Sequence, residues 1–140
     1  MSQSILVIDD ELDMLTLLKM IIEDETDYAV ETTNNPSEGL KMLMKTDYAL
    51  VITDLKMPGL DGIELFEECK EIKPDVPVII ITAYGSIETA QEAIKKGVAD
   101  FITKPFRKET ILFTINRVLE LATVKKENIE LKRKLDQKGG

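Results

Sequence analysis

The sequence predicts a doubly wound α/β domain, with five parallel strands in one sheet and helices on both faces. Three observations carry this. Short, nearly all-apolar runs recur five times, the pattern of strands buried on both faces. Segments with apolar residues at helical spacing stand between them, the alternation of a parallel sheet. Four of the runs end on residues able to do chemistry: Asp9-Asp10, Asp54, Thr82 and Lys104.

Each element has its own signal. Ile5 to Ile8 is the first strand, and Leu12 to Glu25 is a helix with Leu15, Leu18, Ile21 and Ile22 on one face. Tyr28 to Thr32 alternates weakly and reads as the second strand. Asn35-Pro36-Ser37-Glu38 is a helix start, with Asn as N-cap, Pro in the first turn and Glu three residues after the cap. That helix runs to about Lys45 with Leu40, Leu43 and Met44 expected inward. Ala49 to Thr53 is the third strand. Gly62 to about Ile72 is a helix showing Leu65, Phe66, Cys69 and Ile72 on one face, and Pro74 and Pro77 break the chain after it. Val78 to Thr82, the most uniformly β-branched run, is expected at the centre of the sheet. Ser86 to Lys96 is a helix with a thin apolar face of Ala90, Ala93 and Ile94, ended by Gly97. Asp100 to Thr103 is the fifth strand, and a last helix starts near Lys108.

The expected strand order is the flavodoxin-like 2-1-3-4-5, carried over from that class of sheet, with ligands at the carboxyl ends of strands one and three. Asp9, Asp10 and Asp54 then share one crevice. Residues 1–120 form the domain, and 121–140 extend its last helix as a linker.

With 140 residues the chain is long enough for one domain with a substantial core. No run approaches the roughly 20 apolar residues of a membrane span, and the N-terminus lacks the pattern of a signal peptide. A single cysteine, Cys69, excludes an internal disulfide and suits the cytoplasm. Eighteen basic against 26 acidic residues, net −8, argue against direct nucleic-acid binding. The chain has no histidine, which removes Ser-His-Asp hydrolysis and His-ligated zinc. Carboxylate, hydroxyl, lysine and metal chemistry remain.

Three carboxylates in one pocket repel one another and lose solvation, a cost that a hard divalent cation such as Mg2+ relieves. Acids on two strands, an amine and a hydroxyl suit phosphoryl transfer. Asp54 would be the in-line nucleophile, Lys104 would neutralise phosphoryl oxygens and Thr82 would hydrogen-bond one. Ala83 is small enough to leave that side open. Each residue alone has a plainer use: Asp9 and Asp10 as helix caps, Asp54 as the start of the Pro58-Gly59 turn, Lys104 as a surface charge.

Ile8-Asp9-Asp10-Glu11, Thr53 through Gly62, Thr82-Ala83 and Lys104-Pro105-Phe106 together resemble the motif set of bacterial response-regulator receiver domains, over about residues 4–120. The resemblance implies that a histidine kinase phosphorylates Asp54, with Mg2+ held by Asp10, Asp54 and the Lys56 backbone carbonyl and with Asp9 acting through water. It also implies a phosphoryl contact from the Ala83 backbone, a cis Lys104-Pro105 peptide, and Thr82 with residue 101 as the switch. Phe101 stands where many receivers have tyrosine, so coupling there would work by packing alone.

The last helix continues past Leu119 without Gly or Pro. Leu121, Val124, Asn128, Leu131 and Leu135 follow 3-4-3-4 spacing, a two-heptad seam with one polar position. Ile102 to Phe106 and Glu127 to Lys132 resemble sigma-54-dependent (NtrC-type) activators, in which a receiver precedes a helical linker and an ATPase. No G-x-x-x-x-G-K-[ST] occurs in this chain. A homodimer is expected through the tail and through the face formed by the fourth helix, fifth strand and fifth helix. Two other classes are weighed. A phosphatase of the haloacid-dehalogenase type would need an acid where Lys56 stands, and a pure contact module would not need converging carboxylates.

Overall fold

The computed structural model describes residues 3–55, 62–83 and 87–122. Its elements run β1 (Ser4–Ile8), α1 (Leu12–Glu25), β2 (Ala29–Thr33), α2 (Pro36–Lys45), β3 (Leu50–Thr53), α3 (Gly62–Ile72), β4 (Val78–Thr82), α4 (Ile87–Lys96) and β5 (Asp100–Thr103). A fifth helix, α5, occupies 108–122. The strands are all parallel, in the order β2-β1-β3-β4-β5. β3 is therefore the middle strand, and β4, expected at the centre, lies beside it, interior and wholly buried.

Successive side chains of a strand point to opposite faces, and two cores follow. Ile5 and Val7 of β1 join Ile52, Ile79 and Ile81 against Leu15, Leu18 and Ile22 of α1 and Ile111, Ile115 and Val118 of α5. Leu6 and Ile8 join Val51, Val78 and Ile80 against Leu43 of α2, Leu65, Phe66 and Cys69 of α3, and Ala93 of α4. Burying apolar runs on both faces in this way is the main driving force for the fold, at about 25 cal/mol per Å2.

Several local expectations change. Strands β2 and β3 each begin one residue later than read from the sequence. Met44 is 63% exposed; α2 turns Gly39 and Leu43 toward β1, and Pro36 is its other buried residue. Ile94 is also exposed, leaving Ala93 as the buried residue of α4. The Asn35 cap is present, its Oδ1 accepting from the N–H groups of Ser37 (2.9 Å) and Glu38 (3.2 Å). The reciprocal bond from Glu38 is replaced: the Asn35 N–H donates to Thr33 Oγ1 at 3.2 Å, and Thr33 Oγ1 in turn donates to Glu38 Oε2 at 3.3 Å. Ser86, the expected first residue of α4, lies outside the described residues, as do 123–140. No helix among the described residues is long and apolar enough to cross a membrane.

Candidate functional site

The register of the sheet sets the positions of the polar strand ends. Ile8 of β1 pairs with Thr53 of β3, so Asp9 and Asp54 leave their strands side by side. Thr82 of β4 pairs with Thr103 of β5, which brings Lys104 to the same edge. Backbone bonds carry the order past the strands, from Asp54 N–H to the Ile8 carbonyl at 3.1 Å and from Lys104 N–H to the Thr82 carbonyl at 2.8 Å.

Asp9, Asp54 and Thr82 are almost fully buried, at 2, 4 and 0% exposure. Buried charges need partners, and Lys104 supplies one. Its Nζ lies 3.1 Å from Asp54 Oδ2, 3.2 Å from Asp9 Oδ2 and 3.9 Å from Glu11 Oε1. The second oxygen of Asp9 accepts the Glu11 N–H at 2.8 Å. Asp9 thus clips the turn before α1 without capping the helix; the N-cap is Glu11, whose side chain makes no cap bond. The Lys104-Pro105 peptide is cis.

Burial above all pushes the Asp9 carboxyl up from its usual range, and the Asp54 charge adds to this. The Glu11 N–H and Lys104 act the other way without cancelling it. Burial also opposes the charge on Lys104, but hydrogen bonds and charges from Asp54 and Asp9 together outweigh it and raise its pKa.

Asp9, Asp10, Glu11 and Asp54 each offer a carboxylate oxygen, all within 4.8 Å of one another. Four carboxylates around one ammonium leave the pocket strongly negative, and a set of hard oxygen donors is what Mg2+ takes. The residues present fit that ion. Sequence reading placed Asp9, Asp10, Asp54, Thr82 and Lys104 at one sheet edge, and they are there. Glu11 joins them, and the run of three acids Asp9-Asp10-Glu11 is the sequence signal for it.

The other expected site residues are less central. Ala83 follows β4 and is exposed, and Phe101 is half-buried against the core shared with α2, α3 and α4. Leu121 is exposed on α5. Lys56, Val124, Asn128, Leu131 and Leu135 lie outside the described residues.

Comparison with known proteins agrees with this geometry. The response regulator receiver domain family matches residues 5–116. A putative NtrX-like response regulator of Rickettsia bellii is 37% identical over 136 residues, covering 96% of this chain and 28% of that protein. The crystal structure of NtrX from Brucella abortus in complex with ATP superposes with a TM-score of 0.87 at 36% identity, over 94% of this chain and 30% of that one. The solution structure of the beryllofluoride-activated NtrC4 receiver domain dimer gives 0.80 at 37% identity, over 85% and 98%. The chain spans less than a third of the NtrX and NtrX-like proteins it matches. With the five-stranded order, the buried acids and the lysine at one edge, the chain belongs to the response regulator receiver domain family.

Proposed function

We propose that the chain is a phospho-acceptor switch of a two-component system, in which Asp54 takes a phosphoryl group from a partner histidine kinase in a Mg2+-dependent reaction. The observation that carries this is Lys104 Nζ held between the buried carboxylates of Asp54 and Asp9, at the edge where Asp10 and Glu11 complete an acidic cluster. Asp9, Asp10 and Asp54 would hold the cation, with the Lys56 carbonyl as a further ligand. When bound, Mg2+ neutralises charge on phosphoryl oxygens.

A carboxylate oxygen of Asp54 attacks the phosphorus in line. The new O–P bond forms as the bond from phosphorus to the kinase histidine nitrogen breaks, and the imidazole leaves with that electron pair. Lys104 stays beside the site as an electrostatic clamp, and Thr82, at the adjacent strand end, hydrogen-bonds a phosphoryl oxygen. Water later hydrolyses the acyl phosphate and resets the switch, so the reactions assigned to the chain are self-phosphorylation from donors and slow autodephosphorylation. Its setting is the cytoplasm, which the free, buried Cys69 supports.

The output is a change in self-association that controls a following domain, in the manner of sigma-54-dependent activators. The similarity to an activated NtrC4 receiver dimer supports a homodimer. The face we assign to it carries exposed Ile94 of α4 and Phe113 of α5, with the Arg117 guanidinium 5.4 Å over the Phe113 ring and paired to Asp100 of β5.

Intact mass after incubation with Mg2+ and acetyl phosphate tests the reading. One base-labile phosphoryl addition is expected, lost in Asp54→Asn and without Mg2+. No addition to the native chain would reduce the domain to a contact module.

A further inference from the structure

Glu11 stands at the mouth of the pocket, and its ordinary uses do not account for where it points. A glutamate at a helix start commonly caps the helix or serves the first turn. Here its side chain makes no cap bond, and Asp13 supplies the first-turn charge. The Glu11 carboxylate is 63% exposed, yet it turns toward the site, with Oε1 3.9 Å from Lys104 Nζ. One of its oxygens lies within 4.8 Å of those of Asp9, Asp10 and Asp54. Its backbone is held by a different contact, the 2.8 Å bond from its N–H to Asp9 Oδ1. The main chain is therefore fixed by the site while the side chain is free to respond to charge there.

We infer that Glu11 is a positioning residue of the phosphorylation site. Its carboxylate shares Lys104 with Asp9 and Asp54 when no cation is bound, and adds a fourth negative charge to the divalent-cation site when one is. This rests on the phospho-acceptor reading and deepens it. Two consequences of opposite sign follow. Without a cation, Glu11 adds a like charge beside three carboxylates and has one lysine, 3.9 Å away, to offset it. With a cation, it strengthens binding. A residue that only supported the fold would move both quantities in the same direction.

Charges about 4–5 Å apart across a water-exposed edge interact weakly but measurably, so neutralising Glu11 should weaken Mg2+ binding by about three- to twenty-fold. Because Glu11 is exposed, this difference should shrink toward unity in roughly 1 M salt. The more buried contribution of Asp9 should be screened much less.

The test uses the native chain, Glu11→Gln, Glu11→Asp and Asp9→Asn, with Mg2+ affinity from isothermal titration calorimetry and thermal midpoints in EDTA. The expected result for Glu11→Gln is a midpoint raised by about 1–4 °C in EDTA, together with Mg2+ binding weakened in the stated range and recovered in part by Glu11→Asp. An affinity within twofold of the native value, or a lowered midpoint in EDTA, overturns the role of Glu11 while leaving the phospho-acceptor reading intact. Failure of the native chain to bind Mg2+ at millimolar concentration overturns both.

Discussion

At the scale of single residues, the site is arranged for chemistry at some cost to the fold. Asp9 is buried, beside Asp54, and holds its proton more tightly in the folded chain than an exposed aspartate would. A carboxyl raised in this way must be charged at neutral pH against its environment, and that charge subtracts from stability. Asp9→Asn is therefore expected to stabilise the chain in EDTA by about 1 kcal/mol, read from urea midpoints, while weakening the added stability that Mg2+ confers; a destabilised Asn variant would contradict the account. The alkaline side carries a second prediction. Burial, with Glu68 adding, pushes the Cys69 thiol up from 9.0 to about 12. Burial and the hydrogen bond to Glu31 push the Tyr48 hydroxyl from 10.0 to about 12. Both groups ionise more easily once unfolded, so the stability they contribute is complete below their unfolded values and is lost as pH rises from those values toward about 12. Stability should begin to fall near pH 9, by up to about 1.4 kcal/mol per pH unit for each group. Cys69→Ala, though less stable overall, should flatten the first part of that decline in urea titrations run from pH 8 to 10.

At the scale of elements, close approach and capping decide what hydropathy does not. Gly97 ends α4 with φ +110°, and the N–H groups of Gly97 and Val98 return to the carbonyls of Ile94 and Ala93. A Cβ there would meet Lys70 and Phe66 at an ordinary 3.5 Å, so the penalty is conformational. Gly97→Ala should cost about 1–2 kcal/mol by chemical denaturation, and a neutral result would deny the left-handed cap. Gly39 differs, since a Cβ would lie 2.5 Å from Ile8 Cδ1, one residue before Asp9. That contact explains why α2 turns Met44 outward. A glycine adds no hydropathy to a helical face, so a reading by apolar periodicity placed Met44 inward. The strands were legible because all four residues of a run such as Leu50–Thr53 are buried. So were the acids and the lysine that follow the strands, because parallel strands deliver their carboxyl ends to one edge. The reach of Glu11 to Lys104 was not, since it joins residues far apart in the chain, and the grip of α1 on the sheet edge was not, since it joins charged side chains to backbone groups that hydropathy does not report. In that grip Lys19 Nζ donates to the Val30 carbonyl and Glu23 Oε2 accepts the Val30 N–H, both at 2.9 Å, closing part of the free edge of β2. Replacing Lys19 and Glu23 together with alanine should cost about 1–2 kcal/mol and raise concentration-dependent scattering; unchanged stability and scattering would show that the edge needs no cover.

At the scale of the whole molecule, the sheet edge that holds the acids and the face proposed for self-association share β5. Lys104 follows that strand at the site, Phe101 packs from it into the core against α2, α3 and α4, and Asp100 begins it with a bond to Arg117 on α5. A phosphoryl group on Asp54 would draw Lys104 away from its present sharing between Asp9 and Asp54 and so act on the strand from one end. For that action to matter it must favour one arrangement of the face over another, since a group that interacts equally with both shifts nothing. Phe113, 65% exposed beside Arg117, is the largest exposed apolar side chain among the described residues of α4, β5 and α5. Burying it between two copies would contribute on the order of 2 kcal/mol. Phe113→Glu should therefore leave phosphorylation of Asp54 unchanged by intact mass, yet weaken dimerisation of the phosphorylated chain by tenfold or more in equilibrium sedimentation. Dimers of native strength in that variant would move the contact off this face and toward the segment after Leu121. Loss of phosphorylation itself would mean that the site and the face are one unit and not two ends of a strand.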